Sequence, residues 1–131
     1  MYAAGQEFEV QKTDRVHLAK MIMKLFENWQ LKTEDQLSLL GLFNNSKATL
    51  TRYRNGQPLA TNRDMLERVS ILLAIHKSLR LIFPKNHELA YYWITTKNNA
   101  FAGMTPIEVI TKRGFTGLFM VRAYLDKIIA N

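Results

Sequence analysis

The polar residues with the clearest chemical pattern lie between positions 46 and 54, where a short helix is predicted. Six of them can donate hydrogen bonds to phosphates or to base edges of a nucleic acid: Ser46, Lys47, Thr49, Thr51, Arg52 and Arg54. Leu50 and Tyr53 are expected to face inward and to pack this helix onto the rest of the molecule. Of the six donors, we expect Arg52 and Arg54 to read bases.

The residues before this helix predict a helix-turn-helix unit. Thr33 and Gln36 fit a capping box, and Gly41 is a natural end for a short first helix. The second helix, about 47–55, would enter the major groove of DNA. However, the connection over 42–46 is longer than the usual three residues, and two helices around a glycine turn also occur in proteins that do not bind DNA.

Charge favours an acidic partner for this region. The chain has 131 residues, with 18 Lys and Arg against 11 Asp and Glu, which gives a net charge of +7. No acidic residue occurs over 36–63, whereas this segment contains Lys47, Arg52, Arg54 and Arg63. Such a basic stripe is typical of a nucleic-acid surface, although four cations over this length also fit an ordinary solvated face.

An enzyme is not indicated. The chain has no cysteine, which excludes a disulfide framework, a cysteine zinc site and a thiol nucleophile. Its three histidines, His17, His76 and His87, fall on three different predicted helices, and no phosphate-binding glycine loop or paired carboxylates are present. We therefore predict no catalytic residues, no metal site and no cofactor.

Apolar residues recur at spacings of three and four almost throughout, which predicts an all-α fold of about seven helices. Besides the two helices above, helices are predicted over about 15–29 after Asp14 as N-cap, 62–83 up to Pro84, 86–95, 106–113 after Thr105, and 116–129. The longest of these would extend about 30 Å and serve as the spine of the molecule.

Three regions are expected along the chain. Residues 1–13 would form a flexible lead, 14–64 the helix-turn-helix region, and 65–131 the long helix with a compact C-terminal unit packed on its end. The longest apolar run, Val69 to Phe83, is too short and too charged to span a bilayer, and the first 30 residues show no signal-peptide pattern. We therefore expect a cytoplasmic protein without a membrane partner.

The C-terminal half carries an ordered set of motifs. Trp93 is followed by the polar loop 96–99, then by Phe101, Gly103 and the helix start Thr105-Pro106, and finally by a helix with the segment 121–126, Val-Arg-Ala-Tyr-Leu-Asp. Over about residues 68–131 this order resembles the toxin-binding domain of Xre/MbcA/ParS antitoxins. The preceding helices resemble the Xre-like helix-turn-helix of the same family.

The resemblance implies an antitoxin of a type II toxin–antitoxin pair. Its partner would be a cognate RES-domain toxin that degrades NAD, and the antitoxin would cover the toxin's active-site cleft. As a homodimer within the complex, it would also bind operator DNA and repress its own operon. For toxin contact we single out Asn98, Asn99, Arg113, Arg122 and Asn131, whereas Trp93, Phe101, Val121 and Leu125 are expected to be mainly core.

An alternative function stays open at this point. The chain could be a stand-alone helix-turn-helix transcription regulator, or a helical adaptor, without a toxin partner. The neighbouring gene separates the two hypotheses, because a RES-domain product beside this chain favours the antitoxin.

Overall fold

A computed structural model describes residues 10–131. Within that range the chain forms seven α-helices and no strand, which confirms the predicted all-α class. The helices are α1 (Lys12–Asn28), α2 (Thr33–Leu39), α3 (Lys47–Arg54), α4 (Arg63–Ile82), α5 (His87–Tyr92), α6 (Pro106–Arg113) and α7 (Phe115–Ala130). Three 3-10 turns, Asn44–Ser46, Trp93–Thr95 and Asn99–Phe101, lie between them. None of these helices is long and apolar enough to cross a membrane.

Most of the predicted flexible lead, residues 1–9, lies outside the described residues. Its last part differs from the prediction, because α1 already begins at Lys12. Asp14 is therefore not the N-cap of this helix. It lies in the first turn, where a carboxylate still interacts favourably with the helix dipole.

Two predicted helix starts are confirmed by their cap geometry. The Asn62 side chain accepts a hydrogen bond of 2.8 Å from the Met65 amide at the start of α4. At the start of α6, the Thr105 hydroxyl accepts from the Glu108 amide at 3.1 Å, and the Glu108 carboxylate accepts from the Thr105 amide at 3.0 Å. The hydrogen bonds from Thr105 hold the pKa of Glu108 below its usual value.

The capping box predicted at Thr33 and Gln36 is wrong. Lys32 occupies the N-cap position of α2, and no side chain caps this end. The side-chain Nε2 of Gln36 instead donates a hydrogen bond of 2.9 Å to the Leu31 carbonyl. That carbonyl is within reach because the chain turns sharply at Gln30, which has a φ of 56°.

All seven helices contribute to one apolar core. Helix α4 forms its spine, with α7 packed along it and α1 also in contact, while α3 packs on α1. Helix α6 packs against both α7 and α2. The sequence predicts a C-terminal unit packed on the end of the long helix. In the structure this unit instead lies beside the long helix, and its helix α6 touches α2 of the helix-turn-helix directly.

The Arg68 side chain connects three of these helices. Its Nε pairs with Asp64 Oδ2 at 3.0 Å within α4, its Nη1 donates to the Leu39 carbonyl of α2 at 3.4 Å, and its guanidinium lies 4.3 Å from the centre of the Phe115 ring of α7. Only 12% of this side chain is exposed. A Cβ at Gly41 would lie 2.6 Å from Arg68 Nε, so a side chain at this turn position would push the guanidinium aside.

Gly117 marks the closest approach of α7 to α6. A Cβ at this position would lie 2.5 Å from the Val109 carbonyl oxygen and 2.8 Å from Ile110 Cα. Both of these are backbone atoms, which cannot rotate away as the end of a side chain can. The two helices therefore touch backbone to backbone at this point.

The substitution Gly117→Ala should therefore lower the free energy of unfolding by about 1–3 kcal/mol, because the added methyl group overpacks the contact between the helices. This loss is expected even though alanine has the higher helix propensity. Urea unfolding followed by circular dichroism measures this change. The exposed neighbour Thr116→Ala serves as the control and should change stability by less than about 0.5 kcal/mol. Equal stability of the two variants would contradict the close approach.

His76 is half-buried on α4 and stacks on Tyr91, with ring centroids 5.8 Å apart and an interplanar angle of 5°. Its buried Nδ1 has no hydrogen-bond partner among the described residues. Burial lowers the pKa of the imidazole below the ordinary value of 6.5, and the Arg80 cation lowers it further. The folded protein therefore binds this proton less readily than the unfolded chain.

It follows that the free energy of unfolding should fall as the pH drops below about 6.5, until the pKa of folded His76 is passed. Urea unfolding between about pH 8 and about pH 5 measures this dependence. His76→Gln should remove that part of it. His17→Gln, which deletes an exposed imidazole from α1 without touching the stack, should retain the fall.

Candidate DNA-binding and toxin-binding surfaces

Helix α3 is held to the molecule by its apolar side, as predicted. Leu50 and Tyr53 are both buried. The Tyr53 hydroxyl also accepts a hydrogen bond of 3.2 Å from the Ala60 amide, which fastens the segment between α3 and α4 to the helix. The opposite side of α3 is left facing solvent.

The connection before α3 contains fewer non-helical residues than the sequence predicts. Asn44–Ser46 form a 3-10 turn that runs directly into Lys47, so only Leu42 and Phe43 separate Gly41 from this helical stretch. Gly41 has a φ of 68°, which is the left-handed conformation expected at a helix end. The long connection predicted from the sequence is thus largely helical.

The six candidate DNA contacts do not share one face. Lys47, Thr51, Arg52 and Arg54 are exposed, whereas Ser46 and Thr49 are half-buried. Each arginine donates to the threonine three residues earlier, Arg52 to Thr49 at 2.9 Å and Arg54 to Thr51 at 3.1 Å.

Arg52 and Arg54 lie on different sides of α3. Two positions along a helix correspond to a rotation of about 160° the short way round. Arg54 lines the cleft between α3 and α1, while Arg52 lies away from it. The structure therefore separates the two residues that the sequence pairs as base readers.

The charge of the neighbouring helix differs from that of α3. Glu34 and Asp35 lie in the first turn of α2. Burial raises the pKa of Asp35, an effect that nearby Lys32 opposes. The acidic side chains of the helix-turn-helix thus cluster at the start of α2, and α3 itself has none.

In the C-terminal half, Asn98 mainly shapes its own loop. Its side chain accepts from the Ala100 amide at 2.9 Å, and its carbonyl accepts from the Phe101 and Gly103 amides at 3.0 and 3.1 Å. Asn99 is exposed and begins the 3-10 turn. The loop thus holds one asparagine as a scaffold and presents the other to solvent.

Beside this loop lies an aromatic cluster of Trp93, Phe101 and Tyr124. Trp93 stacks on Tyr124 at 6.1 Å, and Phe101 meets the edge of Tyr124 at 5.2 Å. Phe101 is buried, but Trp93 and Tyr124 are half-buried. Val121 and Leu125 are fully in the core as expected, so Trp93 is the one of the four expected core residues that reaches the surface.

The remaining toxin candidates lie apart from one another. Arg113 is exposed at the end of α6, and Asn131 is exposed after α7. Arg122 is half-buried, faces Asp126 at 3.9 Å and lies on the side of α7 away from Tyr124, again about 160° round the helix. Of the five candidates, only Asn98 and Asn99 are brought together.

Sequence reasoning missed the exposed apolar residues of α7. Phe119 is 53% exposed, and Ile128 and Ile129 are also exposed. A signal for them was present, because the apolar stripe of this helix is wider than the area that α4 and α6 can cover. These residues are additional candidates for partner contact.

Comparison with known proteins agrees with this geometry. Residues 18–73 match the model of the Antitoxin Xre-like helix-turn-helix domain, and residues 78–129 match the model of the Antitoxin Xre/MbcA/ParS C-terminal toxin-binding domain. The chain is also 31% identical over 104 residues to the uncharacterized protein y4oB of Sinorhizobium fredii (strain NBRC 101917 / NGR234), an overlap of 79% of this chain and 77% of that protein.

These matches place the chain in the class of helix-turn-helix antitoxins. The protein belongs to the Xre/MbcA/ParS antitoxin family, with an Xre-like helix-turn-helix followed by a toxin-binding domain. The predicted family is thereby confirmed, and an antitoxin role is supported over both halves of the chain.

Proposed function

We propose that this antitoxin neutralises a cognate RES-domain toxin that degrades NAD, by binding over its active site, and that it represses its own operon as a homodimer. The observation that carries this proposal is the pairing of the two matched domains on one continuous core. A stand-alone transcription regulator has no need of a toxin-binding domain, which favours the antitoxin over the alternative.

Inhibition by covering a cleft requires exposed anchors rather than reactive groups. The C-terminal half offers exposed anchors in Asn99, Arg113 and Asn131, and half-buried ones in Arg122 and Trp93. Asn98 would act indirectly, by holding Asn99 in place. Since these residues surround α6 and α7 rather than forming a single patch, the toxin would have to enclose this part of the molecule.

Repression would use the solvent side of α3 in the major groove of the operator. Lys47, Thr51 and Arg52 are exposed there, and Ser46 and Thr49 flank them. A homodimer would place two copies of α3 on half-sites about 34 Å apart, which matches the two-fold symmetry common to operators. Because base contacts give sequence discrimination, we assign that role first to Arg52.

Neutralisation is tested by co-expression with the protein encoded by the adjacent gene, scored by growth rescue and co-purification. The wild-type chain should restore growth and form a stable complex. Arg113→Glu combined with Arg122→Glu should weaken both, because each substitution reverses a charge on the proposed contact surface. Lys77→Glu combined with Lys85→Glu reverses two exposed charges that are not among the proposed contacts and should rescue like the wild type.

A toxic neighbour that the wild-type chain neither binds nor neutralises would overturn the proposed partnership. A neighbour that is bound but does not consume NAD when expressed alone would retain the antitoxin role and exclude the RES toxin. NAD concentrations in cells that express the neighbour alone, compared with those in the co-expressing cells, distinguish these outcomes.

Operator binding is tested with a duplex taken from directly upstream of the coding sequence. Arg52→Ala combined with Arg54→Ala should abolish binding in a fluorescence anisotropy titration and leave toxin neutralisation intact. Lys85→Ala combined with Lys97→Ala removes the same charge from the C-terminal half and should leave DNA affinity close to that of the wild type. Unchanged binding by the arginine variant would exclude α3 as the recognition helix.

A further inference from the structure

An open cleft of about 800 Å³ lies beside the contact between α1 and α3, and Gln36 of α2 also lines it. Three cationic side chains line it, Lys20 and Lys24 from α1 and Arg54 from α3. The sequence does not single out the two lysines, because they lie 30 residues or more before Arg54 and on the solvent side of an ordinary core helix. Only the packing of α1 on α3 brings the three charges together.

One acidic side chain, Glu27, also lines the cleft, so three cations face a single carboxylate there. Lys24 Nζ lies 3.6 Å from Glu27 Oε2, but both side chains are largely exposed, and such a pair is weak in water. Neither Lys20 nor Arg54 forms an ion pair with any of residues 10–131. The Lys20 stem passes close to the end of α3, since a Cβ at Gly56 would lie 3.6 Å from Lys20 Cε.

The cleft also continues one side of the recognition helix. With about 100° of rotation per residue, Lys47, Thr51 and Arg54 fall within about 60° of one another around α3. Arg54 fixes this side as the one facing α1. The polar edge of α3 therefore leads directly to Lys20 and Lys24.

When a helix lies in the major groove, a sugar–phosphate strand borders it on either side. The strand on the α1 side of α3 would meet Arg54 first and the two lysines next. Phosphate groups carry the charge opposite to that of the cations that outnumber Glu27 in this cleft, and contacts to them require no particular base.

From this arrangement we propose that the cleft between α1 and α3 binds the DNA backbone, with Lys20, Lys24 and Arg54 each contacting a phosphate. This assigns α1 to the DNA interface and gives Arg54 a positioning role on the DNA rather than base readout. The inference rests on the proposed operator binding. It differs from that proposal because it predicts that loss of these cations weakens binding to DNA of any sequence.

The test is the salt dependence of DNA binding by the full chain, measured with the upstream duplex and with an unrelated duplex of equal length. Lys20→Gln combined with Lys24→Gln should weaken binding to both duplexes by the same factor, about tenfold or more, and reduce the slope of log K against log salt by about 2. Arg54→Gln alone should reduce the slope by about 1. Arg52→Gln should instead weaken the upstream duplex more than the unrelated one.

Lys85→Gln combined with Lys97→Gln removes two exposed cations far along the chain and should leave the slope unchanged. Thermal unfolding of every variant checks that α1 and α3 remain folded. An unchanged slope for the α1 double variant overturns the proposal, as does a loss confined to the upstream duplex. If that variant loses stability but not DNA affinity, the lysines serve the end of α3 rather than DNA. If the wild-type chain binds neither duplex, operator binding itself fails and the cleft's proposed role with it.

Discussion

The Arg68 side chain lies where α2, α4 and α7 meet, and its guanidinium contacts a different group on each helix: the Leu39 carbonyl, the Asp64 carboxylate and the Phe115 ring. A largely buried charge is costly unless it is paired and hydrogen-bonded, so the positions of the three helices are mutually dependent. Gly41 belongs to the same constraint, because any side chain there would displace the guanidinium. The turn before α3, the proposed recognition helix, is thus tied to the start of α7.

This tie has a consequence for the two matched domains, which meet inside α4 between residues 73 and 78. They are not separate units on a linker, because α4 runs through both and α6 packs directly on α2. The proposed DNA-binding and toxin-binding surfaces consequently have a fixed relation to each other. In the proposed function, a toxin bound around α6 and α7 would lie at a set distance from the operator, and this one core would largely determine the geometry of the repressing complex.

Local signals explain what the sequence could predict. Asn62 and Thr105 cap their helices within one turn, and the apolar spacing of each helix reflects its own burial. The presence of each helix and most helix ends can therefore be predicted from short segments. The missed features depend on distant residues. Gln36 bonds to Leu31 because of the turn at Gln30, Arg68 reaches across 29 residues to Leu39, and Lys20 joins Arg54 only through the packing of α1 on α3. For the candidate surfaces, sequence reasoning identified residues of suitable chemistry but not which of them lie together.

The aromatic cluster beside the Asn98 loop gives the protein an internal optical reporter. The protein has two tryptophans. Trp29 is buried in the N-terminal half, whereas Trp93 is half-buried and stacked on Tyr124 at the surface. Indole emission depends on contact with water, so the two rings emit in different environments within one chain. A partner that covers the C-terminal surface changes the surroundings of Trp93 alone, and Trp29 then acts as a built-in reference for the same molecule.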